Sequence, residues 1–331
     1  MIAPGENISF YLLIGISKNI VDAFPINQYN IFSSSLKESE FRGLLDDLQY
    51  NGSELDVEEA IDYLDKTGLT EKSVILSSIS SDNLYKFYAF IKIVAPSNIQ
   101  LYASFEAKLD NEVNKFSLFE FVSRENSDFR YLSTYPFDRN DFTSTVLSII
   151  NGMDIFFRLK DDSFIYKIVG LYLEADLVTR DYVKFLLYVF TLEMLNIDDT
   201  HHNISYKFAR LPAIMLGYDK ETSSLVYKNL KKVYDIRSKI VHTASFEKLT
   251  TDLVKYLSFI ISGIFSTLLY ADLDLFKEDK KVLKELFNKA NELGFGERHK
   301  LINHNIEGSR FIIKGNVEKV KLDLFPNIKK D

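Results

Sequence analysis

Two side chains in the stretch LVYKNLKKVYDIRSKIVH, residues 225–242, have the chemistry to handle a phosphate group. Arg237 carries a permanent positive charge that can bind two oxygens at once, and His242 is of the type that titrates near neutral pH. Apolar residues recur through this stretch at helical spacing: Val226, Leu230, Val233, Ile240 and Val241. Arg237 falls on the same stripe, so we predict a guanidinium that points towards the core, with an imidazole nearby.

A second inward charge is predicted from the upstream stretch DYVKFLLYVFTLEMLN. We assign Lys184 and Thr191, seven residues apart on one stripe, to the outer face of a helix. Glu193 lies roughly 180° from Lys184, at about 100° per residue, and therefore on the apolar side. Three apolar residues share that side: Leu186, Val189 and Phe190. An unpaired buried carboxylate is costly, and an inward Arg237 would neutralise it. The pair could also serve only to fix helix register, although that leaves the histidine unexplained.

The remaining histidines give weaker signals. The sequence DDTHH at 198–202 could bind a divalent metal, but an exposed acidic loop is the commoner explanation, so we predict no metal and no cofactor. His299 and His304 lie in a polar stretch without a partner at ligand spacing. The chain contains no Gly-rich phosphate loop and no Gly-x-Ser-x-Gly elbow.

Composition limits the class of protein. The 331 residues are 46% apolar and 14% aromatic, which excludes a disordered chain and allows roughly two domains. The absence of cysteine excludes disulfides and thiolate zinc sites, and fits a cytoplasmic location. The N-terminus lacks the basic segment of a signal peptide. The longest uncharged run, residues 256–271, is shorter than the roughly 20 residues of a bilayer span. We therefore predict a buried helix there and no membrane partner.

Charge is distributed unevenly along the chain. Residues 1–140 carry 12 basic and 21 acidic side chains, a net charge of −9, whereas residues 141–331 carry a net charge of +2. Residues 201–260 hold 10 basic and 5 acidic side chains, a net charge of +5. This window is a plausible local surface for nucleic acid, and a solvated lysine face explains it equally well.

The first 140 residues have the pattern of a mixed α and β domain. Aromatic and β-branched runs predict strands over residues 10–16, 86–94, 101–109 and 115–122, the last three as an antiparallel meander. Helical periodicity between residues 38 and 67 predicts helices, with Gly68 as a C-terminal cap.

The rest of the chain has an almost wholly helical pattern. Helices are predicted over residues 143–159, 165–177, 180–196, 204–216, 223–242, 248–270 and 277–293, with Gly217 capping the fourth. We place the domain boundary in the polar stretch 123–141. The predicted α+β organisation is a mixed α/β or β-rich domain over residues 1–138, an all-α domain over 139–295 and a C-terminal arm over 296–331.

Three consecutive stretches resemble a known family. LEML, ISYKFARLPAIMLG and LKKVYDIRSKIVH are similar to the Apea-like branch of the HEPN superfamily, the higher eukaryote and prokaryote nucleotide-binding domains. The family motif is Arg, four to six residues, then His; in this chain it is Arg237, SKIV and His242. The resemblance covers residues 180–270. The chain departs from the usual pattern at Thr243, where a small residue such as glycine is expected.

The resemblance implies a HEPN-like helical bundle with metal-independent endoribonuclease activity, acting in bacterial anti-phage defence or as a toxin. His242 would take the proton of a ribose 2′-OH, Arg237 would stabilise the charge on phosphorus, and Glu193 would complete the site. Four further residues are candidates for contacting RNA: Ser238, Lys239, Arg210 and Lys207. For Lys207 and Arg210, three residues apart on one predicted helix, a simple solvated pair is at least as good an explanation. The N-terminal domain would then respond to a trigger or a regulator.

One helix cannot by itself bring the two motif residues together. Residues five apart differ by 140° and by about 7.5 Å of rise, so Arg237 and His242 do not share a face. Either His242 lies past the helix end, or a second copy completes the site; the resemblance implies a homodimer. The competing function is a non-catalytic nucleic-acid-binding, nucleotide-binding or scaffold protein in which Arg237 and Glu193 are structural.

Overall fold

The computed structural model describes residues 7–16, 18–22, 24–35, 49–50, 66, 73–94, 99–109, 116–123, 152–178, 180–196, 203–217, 219–271, 292 and 324–325. These residues form a protein of the α+β class. The chain divides into two compact units: residues 1–90 with 97–146 (unit 1), and residues 91–96 with 147–331 (unit 2). The predicted boundary stretch 123–141 lies outside the described residues, apart from Ser123.

The described strands of unit 1 form one sheet. They are β1 (Asn7–Ile14), β2 (Phe32–Ser34), β3 (Gln49–Tyr50), β4 (Ser73–Ser78), β5 (Gln100–Leu109) and β6 (Phe116–Ser123). Their order in space is β2-β4-β1-β5-β6-β3, and β3 pairs with β6 in parallel while the other pairs are antiparallel. Strand β1 lies at the centre of this sheet, and six of its eight residues are buried. A near-continuous apolar run such as FYLLI suits a strand covered on both faces.

The predicted strand at residues 86–94 is wrong, because this segment is the second half of a helix. Besides α1 (Lys18–Val21) and a 3-10 turn (Ile26–Tyr29), unit 1 contains α2 (Ser81–Val94), whose last turn belongs to unit 2. The Ser80 hydroxyl accepts a hydrogen bond from the Asn83 N–H at 3.2 Å, which caps the start of α2. Residues 86–93 are all buried, and a helix buried on all sides has the same apolar run as a buried strand.

The strand predictions at residues 10–16, 101–109 and 115–122 are confirmed by β1, β5 and β6. The predicted three-strand meander is wrong, since its first member is α2; β5 pairs instead with β1 on one side and β6 on the other. The predicted helices between residues 38 and 67 and the Gly68 cap lie outside the described residues, except that Gln49 and Tyr50 form strand β3 and Lys66 is helical.

The described part of unit 2 is helical. After a helical segment at residues 152–157 come α3 (Phe164–Leu177), α4 (Asp181–Asn196), α5 (Ile204–Leu216), α6 (Lys220–Thr243) and α7 (Thr251–Ala271). These five helices confirm the predictions to within about three residues, including the buried helix at residues 256–271. The predicted helix over 277–293 and the C-terminal arm lie outside the described residues, except for Glu292, which is helical, and residues 324–325.

Helix α4, which carries Glu193, is packed against α3, α5, α6 and α7. The ring of Tyr188 lies 5.6 Å from that of Tyr172 on α3, and its hydroxyl donates to Asp176 Oδ1 at 3.0 Å. Asp176 also forms an ion pair with Lys92, which is 2% exposed. Burial raises the pKa of the Asp176 carboxyl, but the charges of Lys92 and Lys184 and the hydrogen bonds it accepts leave that pKa below its usual value. These contacts fix the position of α4.

Candidate active site

Helix α6 presents the Arg237–His242 motif, and both of its ends are capped. Asp219 Oδ1 accepts a hydrogen bond at 2.7 Å from a backbone N–H of the first turn, which satisfies a group that the helix cannot bond internally. At the other end Ala244 adopts a left-handed conformation, with φ of 49°. The helix therefore ends near His242, as predicted, but His242 lies inside its last turn rather than beyond it.

The buried stripe of α6 differs from the predicted stripe at two positions, because Ile236 is buried and Val241 is not. Five apolar residues are buried: Val226, Leu230, Val233, Ile236 and Ile240. Val241, predicted to be part of the stripe, is 48% exposed. The reason is geometric: Val241 lies about 100° round the helix from Ile240, and the neighbouring helices do not cover that angle.

Arg237 and Glu193 form an ion pair between α6 and α4. Arg237 Nε lies 3.4 Å from Glu193 Oε1, and the two side chains are 21% and 17% exposed. Arg237 therefore points inward and meets Glu193, as the two stripes predicted. Arg237 Nε is buried, and at 3.4 Å the contact is an ion pair rather than a hydrogen bond of good geometry.

Two aromatic rings hold the guanidinium from the sides. Arg237 Cζ lies 5.9 Å from the centre of the Phe190 ring and 5.8 Å from that of Tyr234. Each contact is within cation–π range and stabilises by about 0.5–2 kcal/mol, depending on desolvation. Phe190 precedes Glu193 by three residues, and Tyr234 precedes Arg237 by three, so each ring sits one turn before the charge on its own helix. Neither ring was predicted from the sequence to contact Arg237, although this i, i+3 repetition was the available signal. We call Arg237, Glu193, Phe190 and Tyr234 the Arg237 site.

The electrostatics of the Arg237 site are set by partial burial. Burial raises the pKa of the Glu193 carboxyl, and the nearby charge of Arg237 lowers it by less, so the pKa remains above its usual value. Burial also raises the pKa of the Tyr234 hydroxyl, with a further increase from Glu193. Glu193 therefore gains a proton more readily than an ordinary glutamate.

His242 is not brought to the Arg237 site within one chain. It is exposed, and the continuous helix separates it from Arg237 by about 140° and 7.5 Å of rise. The structure therefore unites Glu193 with Arg237 and presents His242 separately to solvent. An accessible imidazole can exchange protons with a substrate. A substrate bound only by Arg237 of the same chain is out of its reach, because the two residues lie on different faces of α6.

The four candidate RNA contacts lie on α5 and α6. Ser238 is half-buried and precedes His242 by one turn, while Lys239 is exposed. Lys207 and Arg210 are half-buried on α5. Helices α5 and α6 meet through two pairs of rings: Tyr206 with Tyr227 at 6.1 Å, and Phe208 with Tyr234 at 5.4 Å.

The predicted outer face of α4 is wrong. Thr191 is fully buried and donates a hydrogen bond to the Leu187 carbonyl at 2.9 Å. Lys184 is half-buried, and burial lowers the pKa of its ammonium more than Asp176 raises it. Phe190, assigned to the inner side, is 37% exposed. The assignment failed because helices pack against α4 from several directions.

No group of three or more His, Asp and Glu side chains in the described part of the chain is placed to hold a metal ion. The other predicted candidates, His201, His202, His299 and His304, lie outside the described residues. No helix within the described ranges is long and apolar enough to cross a membrane.

Comparison of the chain with protein-family models, with curated proteins and with solved structures finds no match.

Proposed function

We propose that this chain is a metal-independent endoribonuclease that cleaves RNA through attack of a ribose 2′-OH. The observation that carries the proposal is the Arg237 guanidinium, which is held by Glu193 and two aromatic rings and lies on the helix whose last turn presents an accessible His242. The similarity of this stretch to the HEPN motif supports the same chemistry.

In the proposed reaction the imidazole of His242 removes the proton from the 2′-OH, and the 2′-oxygen attacks the adjacent phosphorus. Arg237 stabilises the added negative charge on the phosphate oxygens, because its fork of N–H donors binds two of them at once. The bond to the 5′-oxygen then breaks, which leaves a 2′,3′-cyclic phosphate and a 5′-OH end. The substrate is RNA, since DNA lacks the attacking hydroxyl.

The proposal requires two copies of the chain, because a single chain does not bring Arg237 and His242 together at one site. Three exposed apolar side chains support a second copy: Phe190, Met194 and Val241 are 37%, 39% and 48% exposed. By helical spacing Met194 lies one turn after Phe190 on α4, and Val241 lies one turn after Arg237 on α6. Exposed apolar side chains that cluster at a charged site are typical of an interaction surface. In this homodimer His242 of one chain would face Arg237 of the other.

The decisive experiment is RNA cleavage by purified protein in the presence of a chelator. Wild type should cleave, while His242→Ala and Arg237→Ala should each lose at least about 100-fold in rate, the usual scale for losing a proton carrier or a charge stabiliser. Glu247→Ala, on the exposed segment after α6, is the matched control and should cleave like wild type. Cleavage that persists in His242→Ala, or that the chelator abolishes, would contradict the mechanism.

A non-catalytic role is the second candidate, and the Arg237–Glu193 ion pair itself favours it. A half-buried pair between two helices is sufficient to fix their register without any reaction. In that case wild type and His242→Ala would be alike in RNA cleavage and in folding. Arg237→Ala would lower only the free energy of unfolding.

We further propose that the chain is a cytoplasmic effector of a bacterial defence or toxin system, with unit 1 sensing a trigger or a regulator. The resemblance of residues 180–270 supports this role. Growth arrest on expression, relieved by His242→Ala but not by Glu247→Ala, is the expected cellular result; equal arrest by both variants would contradict it.

A further inference from the structure

Helix α6 carries a row of four aromatic, basic and hydroxyl side chains, of which the Arg237 site accounts for Tyr234 alone. Tyr227, Lys231, Tyr234 and Ser238 are spaced by four, three and four residues, so they lie within about 60° of one line along the helix. Lys231 is exposed, and the other three are half-buried. We call these four residues the α6 stripe, and His242 lies one turn beyond its end.

Aromatic surface at the start of the stripe is left open to solvent. Tyr206 on α5 is 49% exposed, and its ring meets that of Tyr227 edge to face at 6.1 Å. Lys231 Nζ lies 6.0 Å from the centre of the Tyr227 ring. Core packing does not account for a tyrosine whose side chain is half exposed, so the flat face of the Tyr206 ring is open to a ligand.

The stripe leads to the Arg237 site through Tyr234. This ring belongs to the stripe and also lies 5.8 Å from the Arg237 guanidinium. From Tyr227 to His242 the helix rises by about 22 Å. A ligand that follows the stripe therefore arrives where the motif residues are.

The surroundings favour a polyanion. Residues 203–243 contain eight Lys and Arg against three Asp and Glu, a net charge of +5, in a chain whose total is −7. Basic side chains interleaved with open aromatic rings are the arrangement that binds single-stranded nucleic acid, because rings stack on unpaired bases while ammonium groups contact phosphates. A duplex hides the faces of its bases and cannot use such rings.

We infer that the α6 stripe, with Tyr206, is the surface on which this protein binds single-stranded RNA, with bases stacked on Tyr206 and Tyr227 and a phosphate held by Lys231. The inference rests on the proposed ribonuclease function for the choice of RNA over DNA, and it adds that the substrate is unpaired over the stretch that precedes the cleaved bond.

The test measures binding without cleavage. His242→Ala is used as the full-length background, and its affinity for a fluorescent single-stranded 12-mer RNA is compared by anisotropy with its affinity for the same sequence as a duplex. Adding Tyr206→Ala should weaken single-strand binding about 5- to 100-fold, the scale of one lost stacking contact. Adding Tyr206→Phe instead, which keeps the ring at the same position, should recover the affinity that Tyr206→Ala loses.

Salt dependence separates the lysine from the tyrosine. Lys231→Ala should reduce the slope of log affinity against log salt by about 0.7, because one phosphate contact fewer releases fewer counterions from a single strand. Tyr206→Ala should leave the slope unchanged. Lys248→Ala, an exposed lysine beyond the end of α6, is the matched control and should change neither slope nor affinity.

Three results would overturn the inference: duplex bound as tightly as single strand, no loss of affinity in Tyr206→Ala, or an unchanged salt slope in Lys231→Ala. Failure of the proposed function is distinguishable, since it is read from cleavage by wild type. If the α6 stripe variants weaken RNA binding as expected but wild type cleaves no RNA, the binding surface is supported and the ribonuclease function is contradicted.

Discussion

The balance of forces on Glu193 distinguishes the Arg237 site from an ordinary surface ion pair. A carboxylate beside an arginine usually has a lowered pKa, but burial raises the pKa of Glu193 by more than Arg237 lowers it. The pair is thus held under partial desolvation, where charge interactions are stronger than in water. An arginine kept in that setting is suited to exchange its carboxylate partner for a phosphate.

The raised pKa of Glu193 predicts how stability depends on pH. Because the folded-state pKa lies above the unfolded one, the contribution of Glu193 is fully present below the ordinary value of 4.5 and is lost as pH rises through the folded pKa. Glu193→Gln cannot ionise at this position, so its stability lacks this pH dependence. The free energy of unfolding of Glu193→Gln minus that of wild type should therefore increase as pH rises through this window. Any pH-independent difference between glutamine and protonated glutamate adds an offset, and only the direction of the slope tests the prediction.

Chemical denaturation at a series of pH values between 4 and 7 checks this slope, with Glu247→Gln as the exposed control. A difference that decreases with rising pH would show that the ion pair outweighs burial, contrary to the prediction.

At the scale of elements, the corner between α5 and α6 sets where Arg237 points. Ser223 Oγ donates to the Ala213 carbonyl at 2.8 Å, which joins the start of α6 to the end of α5. Gly217 lies between them, and a Cβ added there would come within 2.5 Å of both the Ala213 oxygen and Ser223 Cα. Backbone atoms on both sides leave no room for a side chain.

Gly217→Ala should therefore destabilise the protein, by about 1–3 kcal/mol, as overpacking typically does. Gly263→Ala on α7 is the matched comparison, because the atoms nearest to its Cβ would be side-chain atoms of Leu216, the closest at 2.9 Å, rather than backbone. The helix propensity of alanine, about 1 kcal/mol better than glycine, should offset most of that contact. Thermal unfolding of the two variants checks the contrast; equal melting temperatures would contradict it.

The sequence predicted some elements well and others not, for physical reasons. Helices α3 to α7 have long amphipathic or apolar patterns with polar breaks between them, and both inward charges could be placed from their stripes. The strand prediction for residues 86–94 is wrong because the sequence of a helix buried on every side lacks the alternation of polar and apolar residues that marks a helix. The aromatic partners of Arg237 were missed because Phe190 and Tyr234 have the spacing of ordinary core residues, and only the fold shows that one of them is open to solvent.

At the scale of the whole molecule, the question is how many chains make one site. A continuous α6 holds Arg237 and His242 on different faces, so the proposed reaction depends on a symmetric pair in which each cleft takes its arginine from one chain and its histidine from the other. A two-fold axis would place two such clefts in each dimer.

Mixing two inactive variants tests this arrangement directly. In a heterodimer of Arg237→Ala with His242→Ala, one cleft loses both groups while the other keeps both, so exchanged mixtures should recover about a quarter of wild-type cleavage. If Arg237 and His242 acted within one chain, every cleft in the mixture would lack one group and no activity would return. Exchanging Arg237→Ala with the double variant Glu193→Gln/His242→Ala extends the test to the carboxylate, because the intact arginine then lies on the chain that lacks Glu193. Recovery that requires Glu193 on the same chain as the intact arginine would place the complete Arg237 site on one side of the cleft and the imidazole on the other.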